Sequence, residues 1–332
     1  MNLSRFPRRQ YTPFATPVEK LERLSAALGG PTIYIKRDDL LGLAAGGNKT
    51  RKLEFLMGDA LAQGADTVIT CGAVQSNHAR LTLAASIVEG MRCHLVLEQR
   101  VPNSYNKKAG GNNFLYELMD AEGIHVVEGG TDLMAKMAEV AEDLRAQGRK
   151  PYIIPGGGSN EIGSLGYVAC AQELMQQLFE MNLKIDNIVL TSGSTGTHAG
   201  TLTGIIGMNG QIPITGIGIN RKNDRQIPAV YDLSARTAAK LGLANPPRME
   251  DVTVFEDYIG GGYSLPTPGM VEAVKLLART EAILLDPVYT GKTMDGLIDL
   301  VRKGYFKDCE NILFLHTGGS TTLFHYYSDI LP

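Results

Sequence analysis

The chain reads as an α/β protein whose sheets are mainly parallel and covered on both faces by helices. Three observations predict this. Short, near-continuous apolar runs such as residues 67–71 and 187–191 recur along the chain, and runs without polar alternation belong to strands buried on both faces. Stretches with apolar residues at helical spacing lie between them, so strand and helix alternate. Glycine is abundant, at 38 of 332 residues, and many glycines follow the apolar runs, where such sheets bind ligands. A chain of this length can bury a large core and make two domains.

In order, residues 1–30 hold a proline-rich entry and a short amphipathic helix at 18–28. Residues 32–35 form a strand before the charged turn Lys36-Arg37-Asp38-Asp39. Gly46-Gly47-Asn48-Lys49 opens a helix in which Leu53, Leu56, Met57, Ala60 and Leu61 share one apolar face. A strand at 67–71 leads through the turn 72–78 into a helix ending near Val88. Strands at 93–97 and 124–127 enclose a polar stretch without period (99–111) and a helix at 112–121. A helix at 132–147, capped by Thr131 or Asp132, precedes a strand at 152–155 that runs into Gly156-Gly157-Gly158. The second half continues with a helix at 163–181, a strand at 187–191 and a Gly/Ser/Thr turn opening a helix from His198. A strand at 214–219 and a helix at 228–241 come next, then a Pro/Gly-rich segment at 244–266. The chain closes with a helix at 268–280, a strand at 283–285, a helix at 291–303 and a strand at 312–315. The turns after Cys71, Pro155, Thr191, Leu285 and Leu315 all sit at strand ends and are expected to converge on one cleft.

Bulk properties narrow the function. Hydrophobic content of 44% and charged content of 20% are those of a soluble globular protein. A formal net charge of -3 gives no reason to expect nucleic acid or an anionic membrane as partner. No apolar run reaches membrane-spanning length, and residues 1–9 carry arginines without the apolar core of a signal peptide, so a cytoplasmic enzyme is expected. Cys71, Cys93, Cys170 and Cys309 form no C-x-x-C pair and read as reduced small hydrophobes. His94, His125, His316 and His325 lack metal-ligand spacing, so no metal site is expected.

Four stretches carry chemistry. Lys49 falls in the first turn of its helix, where the dipole disfavours a cation. That suits an amine that must be neutral or committed to an imine; a solvated lysine is the plain alternative. Gly42 and Gly47 have P-loop separation, but Asn48 stands where the phosphate-binding lysine belongs. The turn from Ser192 to Gly200 offers backbone N–H groups, hydroxyls and a helix start, which suits a phosphate monoester or simply a capped tight turn. Ser76-Asn77-His78 can seat a carboxylate or act as an N-cap. Tyr263 and Tyr289 stand in turns, as packing residues or as site hydroxyls.

Taken together, "RFPR", "IYIKRDD", "GGNKTRKLEFL", "ADTVITCGAVQSNHAR", "GSTGTHAG", "GMVEAVKLLA", "LLDPVYTGK" and "LFLHTGG" resemble one family across nearly the whole chain. It is the pyridoxal-phosphate (PLP) enzymes of the tryptophan-synthase β fold, in the branch with 1-aminocyclopropane-1-carboxylate (ACC) deaminase, D-cysteine desulfhydrase and L-cysteate sulfo-lyase. The resemblance implies two open, mainly parallel twisted sheets and a homodimer, with a small domain (46–155) inserted into a large one (1–45 and 156–332). It implies PLP on Lys49 and a phosphate turn of Ser194, Thr195, Gly196, Thr197, His198 and Ala199. Ser76, Asn77 and His78 would meet the substrate carboxylate, and Asn77 also the cofactor's ring hydroxyl. Tyr263 and Tyr289 would be active-site tyrosines, and Lys52, one turn from Lys49, would tune the imine or favour an anionic substrate.

Departures from the deaminase pattern are informative. Thr290 and Thr317 stand where the deaminase has glutamate and leucine, so the cofactor's ring nitrogen is expected to stay largely neutral. A weak electron sink suits β-elimination better than cyclopropane opening. "PYIIPGGGSN" and "GGTD" are similar to the cysteate enzyme. The expectation is therefore a β-elimination lyase acting on L-cysteate to give pyruvate, sulfite and ammonia. D-cysteine desulfhydration is the alternative, ACC deamination is further off, and a non-catalytic PLP or nucleotide binder represents a different class.

Overall fold

The computed structural model describes residues 1–331 and contains ten strands in two separate sheets. They are β1 (Val18–Lys20), β2 (Thr32–Arg37), β3 (Thr67–Ala73), β4 (Arg92–Gln99), β5 (Gly123–Glu128), β6 (Pro151–Ile154), β7 (Asn187–Ser192), β8 (Ile214–Gly218), β9 (Thr253–Phe255) and β10 (Asn311–His316). One sheet has six strands in the order β1-β2-β10-β7-β8-β9, and the other four in the order β5-β4-β3-β6. Every pairing is parallel except β1 with β2. The α/β class and the two mainly parallel sheets expected from the sequence are therefore present.

The apolar runs are explained by burial on both faces. Along β7, Ile188 and Leu190 face one core and Val189 the other; along β10, Leu313 and Leu315 oppose Ile312 and Phe314. All are at most 2% exposed, and each contributes roughly 1.5–3 kcal/mol through its removal from water. The period is two, but with both faces dry no polar residue marks it.

Three elements differ from expectation. Residues 18–20 are strand, because Val18, Glu19 and Lys20 pair with Lys36, Ile35 and Tyr34 at the sheet edge; the helix is only Glu22–Leu28. Residues 283–285 form no strand, and Leu284 instead offers its carbonyl to His316 Nε2 at 3.1 Å. The Pro/Gly-rich segment hides the edge strand β9, which pairs with β8.

The Lys49–Ala62 helix is anchored by charge as well as by apolar packing. Leu53, Leu56, Met57 and Ala60 are fully buried, whereas Leu61 is exposed and leaves the expected face. Arg51 donates to both oxygens of buried Asp38 at 2.8 Å and reaches Glu173 on the Leu165–Glu180 helix. Burial pushes the Asp38 carboxyl up, but the Arg51 charge overrides it and holds the group below the ordinary range. Lys49 thus starts a helix tied to the turn that follows β2 and to a second helix.

Candidate active site

Four strand-end turns and the turn after Leu285 meet in one cleft of about 360 Å³. Its wall includes Lys49, Ser76, His78, Ser194, Thr195, Thr197, Tyr263, Tyr289 and Thr317, with Pro155, Gly156 and Gly157 on one side. The expected convergence of these turns is therefore observed.

Lys49 is the first residue of its helix, and its Nζ donates to Asn48 Oδ1 at 2.9 Å. The nitrogen lies 5.4 Å from the centre of the Tyr289 ring. Burial lowers its pKa to about 8, with Asp286 opposing the shift and Arg80 adding to it. An amine so poised is uncharged for part of the time near neutral pH, which a nucleophile or proton acceptor requires.

The Gly196–Gly207 helix starts at the turn after β7. Thr195 adopts φ +76, a left-handed conformation costly for a threonine and characteristic of functional turns. The N–H groups of Thr195, Thr197 and His198 donate to no protein group, while Gly196 N–H meets Ser159 Oγ at 3.2 Å. Thr197 Oγ1 accepts from Asn48 Nδ2 at 2.8 Å, linking this turn to the Lys49 helix. Two expected members contribute differently. Ala199 N–H is committed to Thr195 carbonyl at 2.9 Å. The His198 ring turns into the protein, 3.1 Å from Ser192 Oγ, where burial lowers its pKa to about 4.

Lys52 is not on the cleft wall, contrary to its expected place near the substrate. It is 1% exposed, and Nζ donates to Gly157 carbonyl at 3.0 Å and approaches Ser159 Oγ at 3.4 Å. A Cβ added at Gly196 would lie 2.9 Å from that nitrogen, so the ammonium stands directly beneath the glycine turn. Burial, and then the neighbouring Lys49 charge, hold Lys52 well below the ordinary lysine range. Gly157, at φ +70, faces Ser194 so closely that a Cβ would collide with it.

Ser76 caps the Asn77–Val88 helix, its Oγ accepting from Ala79 N–H at 3.1 Å. This leaves the N–H groups of Asn77 and His78 without protein acceptors at a helix start. Asn77 Oδ1 accepts from Arg80 at 3.1 Å and from Asn112 at 2.9 Å. His78 Nε2 pairs with Thr70 Oγ1 at 2.8 Å, and burial, followed by the Lys49 and Lys52 charges, keeps the ring neutral.

Tyr263 and Tyr289 share a hydroxyl–hydroxyl hydrogen bond, with their rings 5.8 Å apart edge to face. Burial raises both phenols, Tyr289 most strongly, so both stay protonated at neutral pH. Thr317 reaches the wall; Thr290 does not. Thr290 is fully buried, and its hydroxyl donates to Asp286 Oδ1 at 2.8 Å, drawn there because the Asp286 carboxylate organises the turn. That carboxylate accepts the N–H groups of Val288, Tyr289 and Thr290 at 2.8–3.1 Å. Burial pushes its pKa up against these bonds.

Arg100 escaped the sequence reading. It comes from the stretch without period, yet its guanidinium carbon sits 4.3 Å from the centre of the Tyr263 ring, on the cleft wall. Nε is held by Glu98 at 2.6 Å, and the two terminal nitrogens have no protein acceptor. Arg221 lines the mouth, and no carboxylate lines the wall among the described residues.

A helix start with unpartnered N–H groups, the buried Lys52 nitrogen beneath it and an amine of low pKa across the cleft make a site suited to a phosphate beside an imine-forming lysine. The donor set fits pyridoxal phosphate. The match to the family model for pyridoxal-phosphate dependent enzymes spans residues 10–318, and the chain belongs to that family. It is 45% identical over 329 residues to a D-cysteine desulfhydrase of Yersinia enterocolitica, covering 99% of this chain and 98% of that one. A solved ACC deaminase homologue matches with a TM-score of 0.89 at 40% identity, over 99% of this chain and 97% of the other. A hydrogen sulfide-producing enzyme of Fusobacterium nucleatum shares the fold, with a TM-score of 0.64 at 16% identity over 93% and 96% of the chains. The protein is a PLP-dependent enzyme of this α/β fold.

Proposed function

We propose that the chain is a carbon–sulfur lyase that removes the Cβ substituent of a small amino acid, with D-cysteine as substrate and pyruvate, sulfide and ammonia as products. The observation that carries the reaction type is Lys49, an amine of depressed pKa set between an anion-binding turn and a tyrosine pair. The near-full-length relative supports D-cysteine and favours it over the L-cysteate expected from sequence.

PLP, when bound, supplies a sink for negative charge at Cα. Thr195, Thr197 and His198 N–H groups and the Lys52 ammonium would hold its phosphate. The N–H groups of Asn77 and His78 seat the substrate carboxylate at the helix start that Ser76 caps. Lys49 Nζ takes the Cα proton. The Tyr263–Tyr289 pair, protonated at neutral pH, donates to the departing sulfur. Thr317 is the hydroxyl available to the cofactor ring. The wall carries no carboxylate that would hold the cofactor's ring nitrogen protonated, which supports elimination over ring opening of ACC.

One observation favours L-cysteate as a second reading. The charged wall residues Lys49, Arg100 and Arg221 are all basic, and the terminal nitrogens of Arg100 are available to the three oxygens of a sulfonate. Pyruvate, sulfide and sulfite are to be measured with D-cysteine, L-cysteate, L-cysteine and ACC under one condition. Sulfide from D-cysteine at the highest kcat/KM supports the first reading. Sulfite from L-cysteate at a higher one, lost in Arg100→Gln, replaces it with the second. Absence of pyruvate from all four defeats both.

The working form we propose is a cytoplasmic homodimer without nucleic-acid or membrane partners. The small domain is taken as 46–155, a division supported by β3 to β6 forming their own sheet.

A further inference from the structure

Arg80 is fully buried on the Asn77–Val88 helix, one turn beyond Asn77 and on the same face. One terminal nitrogen donates to Asn77 Oδ1 at 3.1 Å, to Asn112 Oδ1 at 2.9 Å and to Thr321 Oγ1. The other donates to Gly46 carbonyl at 2.7 Å, three residues before Lys49. Every one of these acceptors is neutral. A guanidinium only donates, so the Asn77 atom facing it must be oxygen, and Asn112 Nδ2 donates to that same oxygen at 2.9 Å. The Asn77 NH2 is therefore turned the other way. It has no protein partner and lies where a Cβ on Gly319 would stand 2.6 Å from it. Gly319, at φ +104, is what leaves it room.

We propose that Arg80 is a positioning residue: it locks the Asn77 amide with its NH2 outward and places a buried positive charge behind it, so that the pair receives the phenolic oxygen of pyridoxal phosphate. This rests on the reading of Lys49 as the PLP-bearing residue. Burying a cation among neutral acceptors is unfavourable, and burial lowers Arg80 to about 10. A partly anionic oxygen on Asn77 Nδ2 relieves that cost through a relayed hydrogen bond, which neutral packing alone would not. The same charge adds to the lowering of Lys49. The charges acting on Lys49 are Asp286, which raises it, and Arg80, which lowers it; Lys52 and His78, both lowered by the Lys49 charge, and the Tyr289 ring at 5.4 Å are its other titratable neighbours.

Asn77→Asp tests the orientation. The carboxylate pairs with Arg80, so the apoprotein melts no lower than wild type, while an acceptor replaces the outward donor. The PLP dissociation constant should rise about thirtyfold, the size of a lost charge-assisted hydrogen bond. Arg80→Gln should weaken PLP binding and raise the pH midpoint of the bound cofactor's absorbance, and Arg80→Lys should restore part of both. PLP affinity insensitive to Asn77→Asp, or a folded Arg80→Gln with unchanged affinity and midpoint, overturns the assignment. If neither Arg80 variant folds, Asn77→Asp decides alone. Wild-type protein that takes no PLP on Lys49 overturns this reading together with the lyase reading; a PLP-bearing wild type with an indifferent Asn77→Asp overturns this one only.

Discussion

Replacing Lys52 by methionine should move two properties in opposite directions. The side chain is 1% exposed, and its nitrogen meets only a carbonyl at 3.0 Å and a hydroxyl at 3.4 Å, so without phosphate it is a buried amine whose charged form has no charged partner and is disfavoured. Methionine of similar length removes that desolvated amine, and the apoprotein should melt no lower than wild type. With cofactor present the balance reverses. A charge-assisted hydrogen bond contributes about 1.5–3 kcal/mol, so the PLP dissociation constant should rise roughly tenfold to 150-fold. Equilibrium dialysis with PLP and thermal melts of the apoprotein give both values. A PLP dissociation constant within twofold of wild type would refute the placement of Lys52 beneath the phosphate turn.

Gly319→Ala should weaken PLP binding and lower Tm, because the new Cβ would stand 2.6 Å from Asn77 Nδ2 at a backbone of φ +104; the melt and a PLP titration check it. Thr290→Val should cost about 1–2 kcal/mol of stability in urea unfolding while leaving the substrate profile unchanged, since its hydroxyl serves Asp286 and not the cleft. Apoprotein Tm should rise with pH between about 8 and 10.5: burial lowers Lys49 from 10.5 to about 8 and lowers Lys52 as well, so the unfolded chain binds more protons across that window. Saturating PLP should flatten the rise, and a Tm that falls with pH through the window in the apoprotein would contradict it.

Much of the cleft was legible because its parts are local. A glycine-flanked lysine opening a helix, a Gly/Ser/Thr turn after a strand and a Ser-Asn pair before another helix are each written in a few consecutive residues, and parallel topology brings strand ends together. What was not legible depends on side-chain direction or distant packing. Lys49 and Lys52 share a helix face, but the glycine approach at Gly157 and Gly196 turns Lys52 under the turn instead of into the cleft. Thr290 adjoins Tyr289 in sequence, yet Asp286 draws its hydroxyl inward. Arg100 lies in a stretch with no period, and its place is set by stacking on Tyr263, distant in sequence, and by the bond to Glu98. Residues 18–20 became strand because β2 offered an unpaired edge, which local amphipathic spacing does not reveal.

Whether Lys49 carries the cofactor is decided by borohydride reduction of the PLP-loaded protein followed by peptide mapping. The geometry predicts bleaching of the cofactor absorbance and a single pyridoxyl label on the peptide containing Lys49, lost in Lys49→Ala. A label on Lys52, or a protein that binds PLP without becoming labelled, would contradict it.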